Sequence, residues 1–272
     1  MNKMNSRYRS SHCRHIIVAI LFLWLTGLVI PASSMAGLGQ AELERIGRRI
    51  WKNECDGKVD ELTSWNTGEN FASLGIGHFI WYPAGAEGPF EESFPRLIAF
   101  FRQTEVNLPK WLLSEKHCPW ADKRSFDRDH QGVRQKELRE LLSQTVKQQT
   151  QFIIQRLAAS APKFREAAGG KGAMVEKNMT LLRESAAGNF ALIDYINFKG
   201  DGLNPKERYR GEGWGLLQVL MLMKPADAAS APPAFAEAAK TVLGLRVRNS
   251  PPERGEQRWL EGWHNRCDAY AK

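Results

Sequence analysis

Apolar positions recur at helical spacing from the first stretch that reads as folded. In "GQAELERIGRRIWKNEC", Leu43, Ile46 and Ile50 lie three and four residues apart, which predicts an amphipathic helix. One further turn carries the same face to residue 54, a glutamate. A short, glycine-bearing β region follows from about Leu62 to Trp81, and the rest reads as mainly helical. "ELRELLSQTVKQQTQFIIQRL" has Leu138, Leu141, Leu142, Phe152 and Ile153 as its apolar set. "NFALIDYINF" is apolar on most sides and predicts a central buried helix. "MKPADAASAPPAFAEAA" marks a loop between helices. Ser250-Pro251-Pro252-Glu253 has the spacing of a capping box, and behind it Trp259, Trp263, Cys267 and Tyr270 form one apolar stripe, expected to be core. The predicted class is α+β, mostly α, with one small sheet near the N-terminal end and a helical remainder.

Composition changes the picture mainly at the start of the chain. Of 272 residues, the first 36 read as a secretory signal peptide. A basic start (Lys3, Arg7, Arg9, Arg14) leads into an apolar run from Ile16 to Ile30, short for a spanning helix, and Ser34-Met35-Ala36 offers a small-x-small cleavage site. The alternative is an uncleaved anchor. Cleavage would remove four of the 38 Lys/Arg and none of the 30 Asp/Glu, so the formal charge falls from +8 to +4. That suits mild attraction to an anionic surface such as a cell wall; without basic runs, nucleic acid is not an expected partner. Residues 37–272 are expected to form one domain, exported to the periplasm or secreted. Its β-containing lobe lies at about 54–82. Cys55, Cys118 and Cys267 remain, enough for one disulfide and a leftover thiol. His78, His117 and His130 lack metal-ligand spacing, and no metal site or cofactor is expected.

The candidate chemistry begins at Glu54. A carboxyl at the end of an apolar helix face is expected to have a raised pKa, as a general acid at neutral pH requires. If the helix frays before residue 54, Glu54 is merely exposed. In "SLGIGH", strand alternation would put Leu74 and Ile76 on one face and Ser73, Gly75 and Gly77 on the other. The second face is nearly bare backbone, against which a flat polar ligand such as a sugar would lie closely. The competing reading of these glycines is a bulge or tight bend.

"WKNEC" followed by "SLGIGH" resembles the phage-type lysozymes, muramidases of the lysozyme superfamily. They open with a helix ending in the catalytic glutamate, and a short sheet with a Thr-Ile-Gly-Ile-Gly-His signature follows. Downstream, "FALIDYINFKGDG" resembles the family's long central helix and the turn after it. "GWGLLQVLMLM" and "RVRNSPPERGEQRWLEGW" resemble its later helices, so the likeness spans roughly Leu43 to Tyr270. The resemblance implies a lysozyme-like fold with Glu54 as general acid. It also implies that Ser73 positions the attacking water, that His78 is mainly structural, and that Arg254 approaches Glu54. The family's aspartate before the sheet signature is missing; Glu69 is the acid nearest its place, as base or electrostatic stabiliser, or else an ordinary turn residue. Tyr209 to Gln218 resembles a substrate-groove segment of chitinases in the same superfamily. Tyr209 and Trp214 would stack on sugar rings there, Trp214 being equally readable as core, and Gln218 would hydrogen-bond a substituent, with Gly75, Gly77 and His78 lining the same cleft. A Cys55–Cys267 bridge would tie the first helix to the last, with Cys118 an alternative partner for either.

These features together predict an exported, monomeric peptidoglycan hydrolase. It would cut the glycan between N-acetylmuramic acid and N-acetylglucosamine, without cofactor and without stable membrane insertion. Chitinase-like or lytic transglycosylase specificity is a variant. A non-catalytic glycan-binding or inhibitory protein and a toxin aimed at rival cells are the competing classes. The insertions "FIWYPAGAEGPFEESFPRL" and "EKHCPWADKRSFDRDHQG" would reshape the cleft or bind a partner.

Overall fold

A computed structural model describes residues 38–88 and 90–272. The proposed signal segment lies outside them. Among the described residues no helix is long and apolar enough to cross a membrane.

The first helix, α1 (Gln40–Cys55), forms where its period predicts it. Leu43, Ile46 and Ile50 are buried, and the helix runs through Glu54. Gly47 is the point of closest approach to a later helix, α5 (Val146–Ala167), where a β-carbon would collide with Thr150 and Val146. Asp56 ends α1 in the left-handed conformation, its N–H bonded to Trp51 O, and turns the chain into the sheet.

That sheet is an antiparallel meander of β1 (Thr63–Ser64), β2 (Ala72–Leu74) and β3 (Phe79–Trp81). Ser73 pairs with Ser64 on one side and Ile80 on the other. The strand expected through "SLGIGH" stops at Leu74. Residues 75–78 are the turn from β2 to β3, with Gly75 at φ +73° and His78 at φ +48°. The tight-bend reading of the glycines is therefore the correct one. Gly75 N donates to Leu62 O at 2.8 Å, Ile76 N donates to Gln149 Oε1 at 2.9 Å, and a β-carbon on Gly75 would strike that same Gln149 oxygen. The bare backbone of Gly75 thus faces a buried glutamine of α5.

Helices make up most of the remainder: α2 (Phe94–Gln103), α3 (Lys123–Arg128), α4 (Val133–Gln144), α5, α6 (Gly172–Arg183), α7 (Ala186–Lys199), α8 (Leu216–Leu222), α9 (Ala231–Asn249) and α10 (Leu260–Asp268). A short hairpin, β4 (Arg208–Tyr209) with β5 (Glu212–Gly213), sits between α7 and α8. The class is α+β, mostly α, as predicted. The "NFALIDYINF" segment forms the core helix α7, with Phe190, Leu192, Ile193, Tyr195 and Ile196 all buried. Ser185 caps it by accepting from Gly188 N at 3.0 Å.

Three local expectations change. The loop expected over "MKPADAASAPPAFAEAA" ends at Ser230, because Pro232 and Pro233 fall in the first turn of α9, where a missing N–H costs nothing. Ser250 does not open a capping box; it follows the end of α9, and its hydroxyl donates to Val247 O at 2.9 Å. Cys55, Cys118 and Cys267 are all free and buried, so no Cys55–Cys267 bridge exists. Burial is the first cause that pushes each thiol up to about 12, which keeps it protonated.

The two insertions serve different ends. The first brings Glu91, Ser93 and Arg96 to the cleft described below. The second packs Trp120 and Phe126 behind the sheet, with Phe126 5.7 Å from Trp65 between ring centroids.

Candidate active site

The C-terminal end of α1, the β2–β3 turn, α7 and one face of α5 enclose a cleft of about 480 Å³. Of the residues expected at the site, Glu54, Glu69, Ser73, Gly77, His78 and Trp214 all line it. Gly75, Tyr209, Gln218 and Arg254 do not. Gly75 packs on Gln149 as described. Gln218 accepts from Gly215 N at 3.0 Å and donates to Gly202 O at 3.2 Å, which occupies its amide in bracing the start of α8. Tyr209 stacks on Trp214 with centroids 4.6 Å apart and donates its hydroxyl to Glu256 at 3.0 Å. Arg254 joins the same carboxylate, 3.0 Å from Glu256 Oε1.

The cation at Glu54 is instead Arg266, on α10. Its Nη2 lies 2.8 Å from Glu54 Oε1. The same guanidinium holds Asp194 of α7, with Nε and Nη2 each 2.8 Å from a carboxylate oxygen. Tyr270 donates to Asp194 at 2.6 Å and Asn53 donates at 3.3 Å. Arg266 is thereby fixed by a wholly buried acid, and its Nη2 donates to Asp194 and Glu54 together. His78 Nδ1 stands 3.5 Å from the other oxygen of Glu54, and Asn197 Nδ2 donates to Oε1 at 3.3 Å.

Glu54 is 13% exposed in its side chain, open only to the cleft. Burial is the largest single influence on it and pushes its pKa up, as the apolar helix face suggested. Arg266, His78 and Lys199 together outweigh burial, so the carboxyl is held below its ordinary range. The expected raised pKa is thus reversed by cations that come from α10, the β2–β3 turn and α7. Glu69 goes the other way. It is half-buried, accepts from Asn66 Nδ2 at 3.1 Å, and burial raises its pKa. The cleft therefore holds two carboxyl groups pushed in opposite directions, the arrangement that separates an acid from a base.

Three further groups matter. Asn197 Oδ1 is buried against Gly77, where a β-carbon would come within 2.6 Å of it, and has no hydrogen-bond partner among the described residues. Lys199 sits between the rings of Phe198 and Trp263, its Nζ 3.9 and 3.6 Å from their centroids, and burial first, then Arg246 and Arg266, holds its pKa well down. Arg246 lies 4.2 Å over Trp214 and is clamped by both oxygens of Glu256, at 2.8 and 2.9 Å.

Sequence reasoning missed Arg266, Asn197, Lys199 and Arg246. One signal was available for the first. Asp194 is a lone acid inside an otherwise apolar helix, and a buried carboxylate demands a cation. Arg266 lies in the closing stripe, beside Cys267.

Among the described residues no group of three or more His, Cys, Asp or Glu side chains is placed to hold a metal ion. The chain matches no family model, no curated protein and no solved structure.

Proposed function

We propose that the protein is an exported hydrolase of peptidoglycan glycan strands, a muramidase with a lysozyme-like arrangement, and that Glu54 is central to its chemistry. One observation carries this reading. Glu54 stands at the end of the first helix, nearly buried, facing a cleft that also holds Glu69, Ser73 and the Gly77-His78 turn. Two carboxyl groups in one cleft are the minimal equipment for glycoside hydrolysis, in which one protonates the leaving oxygen and the other activates water or stabilises the developing cation. Arg96, Lys163 and Asn204 line the same cleft and supply polar groups suited to the hydroxyls of a sugar chain.

In the first assignment Glu54 is the general acid and Glu69 the base. The cations around Glu54 then make the enzyme acid-favouring, because the protonated form grows as pH falls toward its depressed pKa. A second assignment exchanges the roles, and the opposite pKa directions of the two groups favour it: Glu69 retains the proton and Glu54 is the ready carboxylate. Ser73, buried on β2 and lining the cleft, is the hydroxyl available to position water in either case.

The test is release of soluble fragments from purified peptidoglycan, with mass spectrometry of the products. Glu54→Gln is expected to lower release by at least about a hundredfold, the usual scale of a lost general acid or base. A reducing sugar end marks hydrolysis and an anhydro end marks transglycosylation. An aryl glycoside with a leaving group that needs no protonation separates the two assignments. It rescues the variant that lacks the acid, Glu54→Gln or Glu69→Gln, and not the one that lacks the base. Binding to the wall without release by the unaltered protein would replace the enzyme reading with a glycan-binding one.

A further inference from the structure

His78 ends the turn from β2 to β3 in the left-handed region, at φ +48°, with its N–H donating to Gly75 O at 3.2 Å. Glycine or asparagine reaches that conformation at less cost. A histidine held there in spite of the strain points to a use for its ring. Two consecutive residues at the end of α1 grip that ring from opposite sides. Nδ1 stands 3.5 Å from Glu54 Oε2, and Nε2 stands 3.6 Å from Cys55 Sγ.

A neutral imidazole has one N–H and one lone pair, and its neighbours decide which nitrogen carries which. The Glu54 carboxylate only accepts, so it calls for the proton on Nδ1 and leaves the lone pair on Nε2. Cys55 is buried, and burial pushes its thiol up to about 12, so the sulfur keeps a proton to donate to that lone pair. The reverse tautomer would set a lone pair against the carboxylate and an N–H against the S–H. Gly75 O, at 3.8 Å, is the competing acceptor for the thiol.

We infer that Cys55 is a positioning residue: its S–H donates to His78 Nε2 and so fixes the tautomer whose Nδ1–H steadies Glu54 Oε2. The inference rests on the reading above that Glu54 does the chemistry of the cleft, and it adds a residue to that machinery. Arg266 and Asn197 hold Oε1, at 2.8 and 3.3 Å, and His78 faces Oε2, so both oxygens are engaged and the plane of the carboxyl group is set. No covalent step is asked of the sulfur. Burial that makes Cys55 a poor nucleophile is what makes it a dependable donor.

The experiment combines nitrogen-15 NMR of the histidine rings with fragment release from purified peptidoglycan. Spectra are recorded at about pH 8.5, roughly two units above the ordinary histidine range, and the His78 signals are identified by their loss in His78→Asn. The parent is expected to show a protonated Nδ1 and a bare Nε2. Cys55→Ala is expected to give a mixture of tautomers and to slow release about tenfold at saturating substrate, with half-saturation unchanged. That loss is smaller than for Glu54→Gln because Arg266 and Asn197 still hold the carboxyl group. Cys55→Ser, whose hydroxyl also donates, is expected to restore the parent tautomer and most of the rate. A parent-like His78 spectrum in Cys55→Ala would overturn the inference and assign the thiol proton to Gly75 O. Equal losses in Cys55→Ala and Cys55→Ser would overturn it too, leaving the sulfur as packing alone. If Cys55→Ala does not fold, the parent spectrum decides, and a proton on Nε2 in place of Nδ1 sinks the inference. A parent that releases no fragments would overturn the glycan reading, while the spectra still decide the hydrogen bond from Cys55.

Discussion

Glu54 shows how one carboxylate is governed by several distant parts of the chain. Arg266 comes from α10, His78 from the β2–β3 turn and Lys199 from α7, and all three act against the burial that α1 supplies. Because its folded pKa is depressed, Glu54 contributes stability that is present above its unfolded pKa and is lost as pH falls through the folded one. As a general acid it would lose activity as pH rises. His78→Asn tests this with little backbone cost, since asparagine tolerates the left-handed conformation found there. Removing the imidazole is expected to raise the Glu54 pKa and move the alkaline limb of kcat/KM to higher pH. A limb that stays in place would assign that limb to another group. Glu256 gives the clearest pH signature in stability. It is wholly buried under Arg246, Arg254 and Tyr209; burial opposes its charge, and the two arginines overcome this to hold its pKa at about 2. Its contribution is present above the ordinary carboxylate range and is lost between about pH 4.5 and pH 2. Glu256→Gln is expected to cost about 3 kcal/mol at neutral pH and to flatten that acid limb in urea titrations, because it leaves a buried guanidinium unpaired.

At the scale of elements, the β2–β3 turn decides the shape of the cleft. Gly75 has positive φ and no room for a β-carbon against Gln149, whose amide also takes Ile76 N and donates to Leu142 O at 2.6 Å. The turn is thereby pinned to α5, and Gly77 and His78 are held at the cleft edge. Gly75→Ala is expected to cost about 2–4 kcal/mol, combining left-handed strain with the clash, and to lower the thermal midpoint accordingly. An unchanged midpoint would mean that the turn repacks freely. The alternation of apolar and small residues in "SLGIGH" was legible, but alternation alone cannot distinguish a strand from a strand followed by a bend. What separates them is a partner: β3 pairs back as far as Leu74 and no further.

On the scale of the whole molecule, three thiols remain apart inside one core. Cys55 Sγ lies 3.6 Å from His78 Nε2 and near Gly75 O, so it is enclosed by the turn, while Cys267 is buried on α10. Thiols that are buried and protonated react slowly with electrophiles. A thiol-reactive dye is expected to label Cys55, Cys118 and Cys267 only after denaturation, and reducing agent to leave the thermal midpoint unchanged. A fall in the midpoint on reduction would establish a disulfide. The distribution of the insertions belongs to this scale too, since the first adds Glu91 and Arg96 to the cleft and the second closes an aromatic cluster around Trp65 and Phe126.

The sequence by itself determined the helices whose apolar residues repeat at three and four, the buried character of α7 and the mostly helical class; it did not decide whether α1 reached Glu54 or frayed before it, and the helix runs to Cys55. The helices and the class follow from local periodicity, which any one segment carries alone. It also placed Glu54, Glu69, Ser73 and His78 in an order that the fold brings to one cleft. Only the tertiary structure decided the partners. Arg254 and Arg266 stand twelve positions apart in a basic closing segment, and nothing local says which reaches Glu54; Asp194, buried in α7, selects Arg266, and Glu256 takes Arg254. The sign of the Glu54 pKa was settled in the same way, because burial is read along one helix whereas the opposing charges arrive from three other parts of the chain. Trp259 continued the apolar period of the closing segment, yet it lies in the 3-10 turn before α10 and faces water, since a period names a face and only the neighbouring elements determine whether that face is covered.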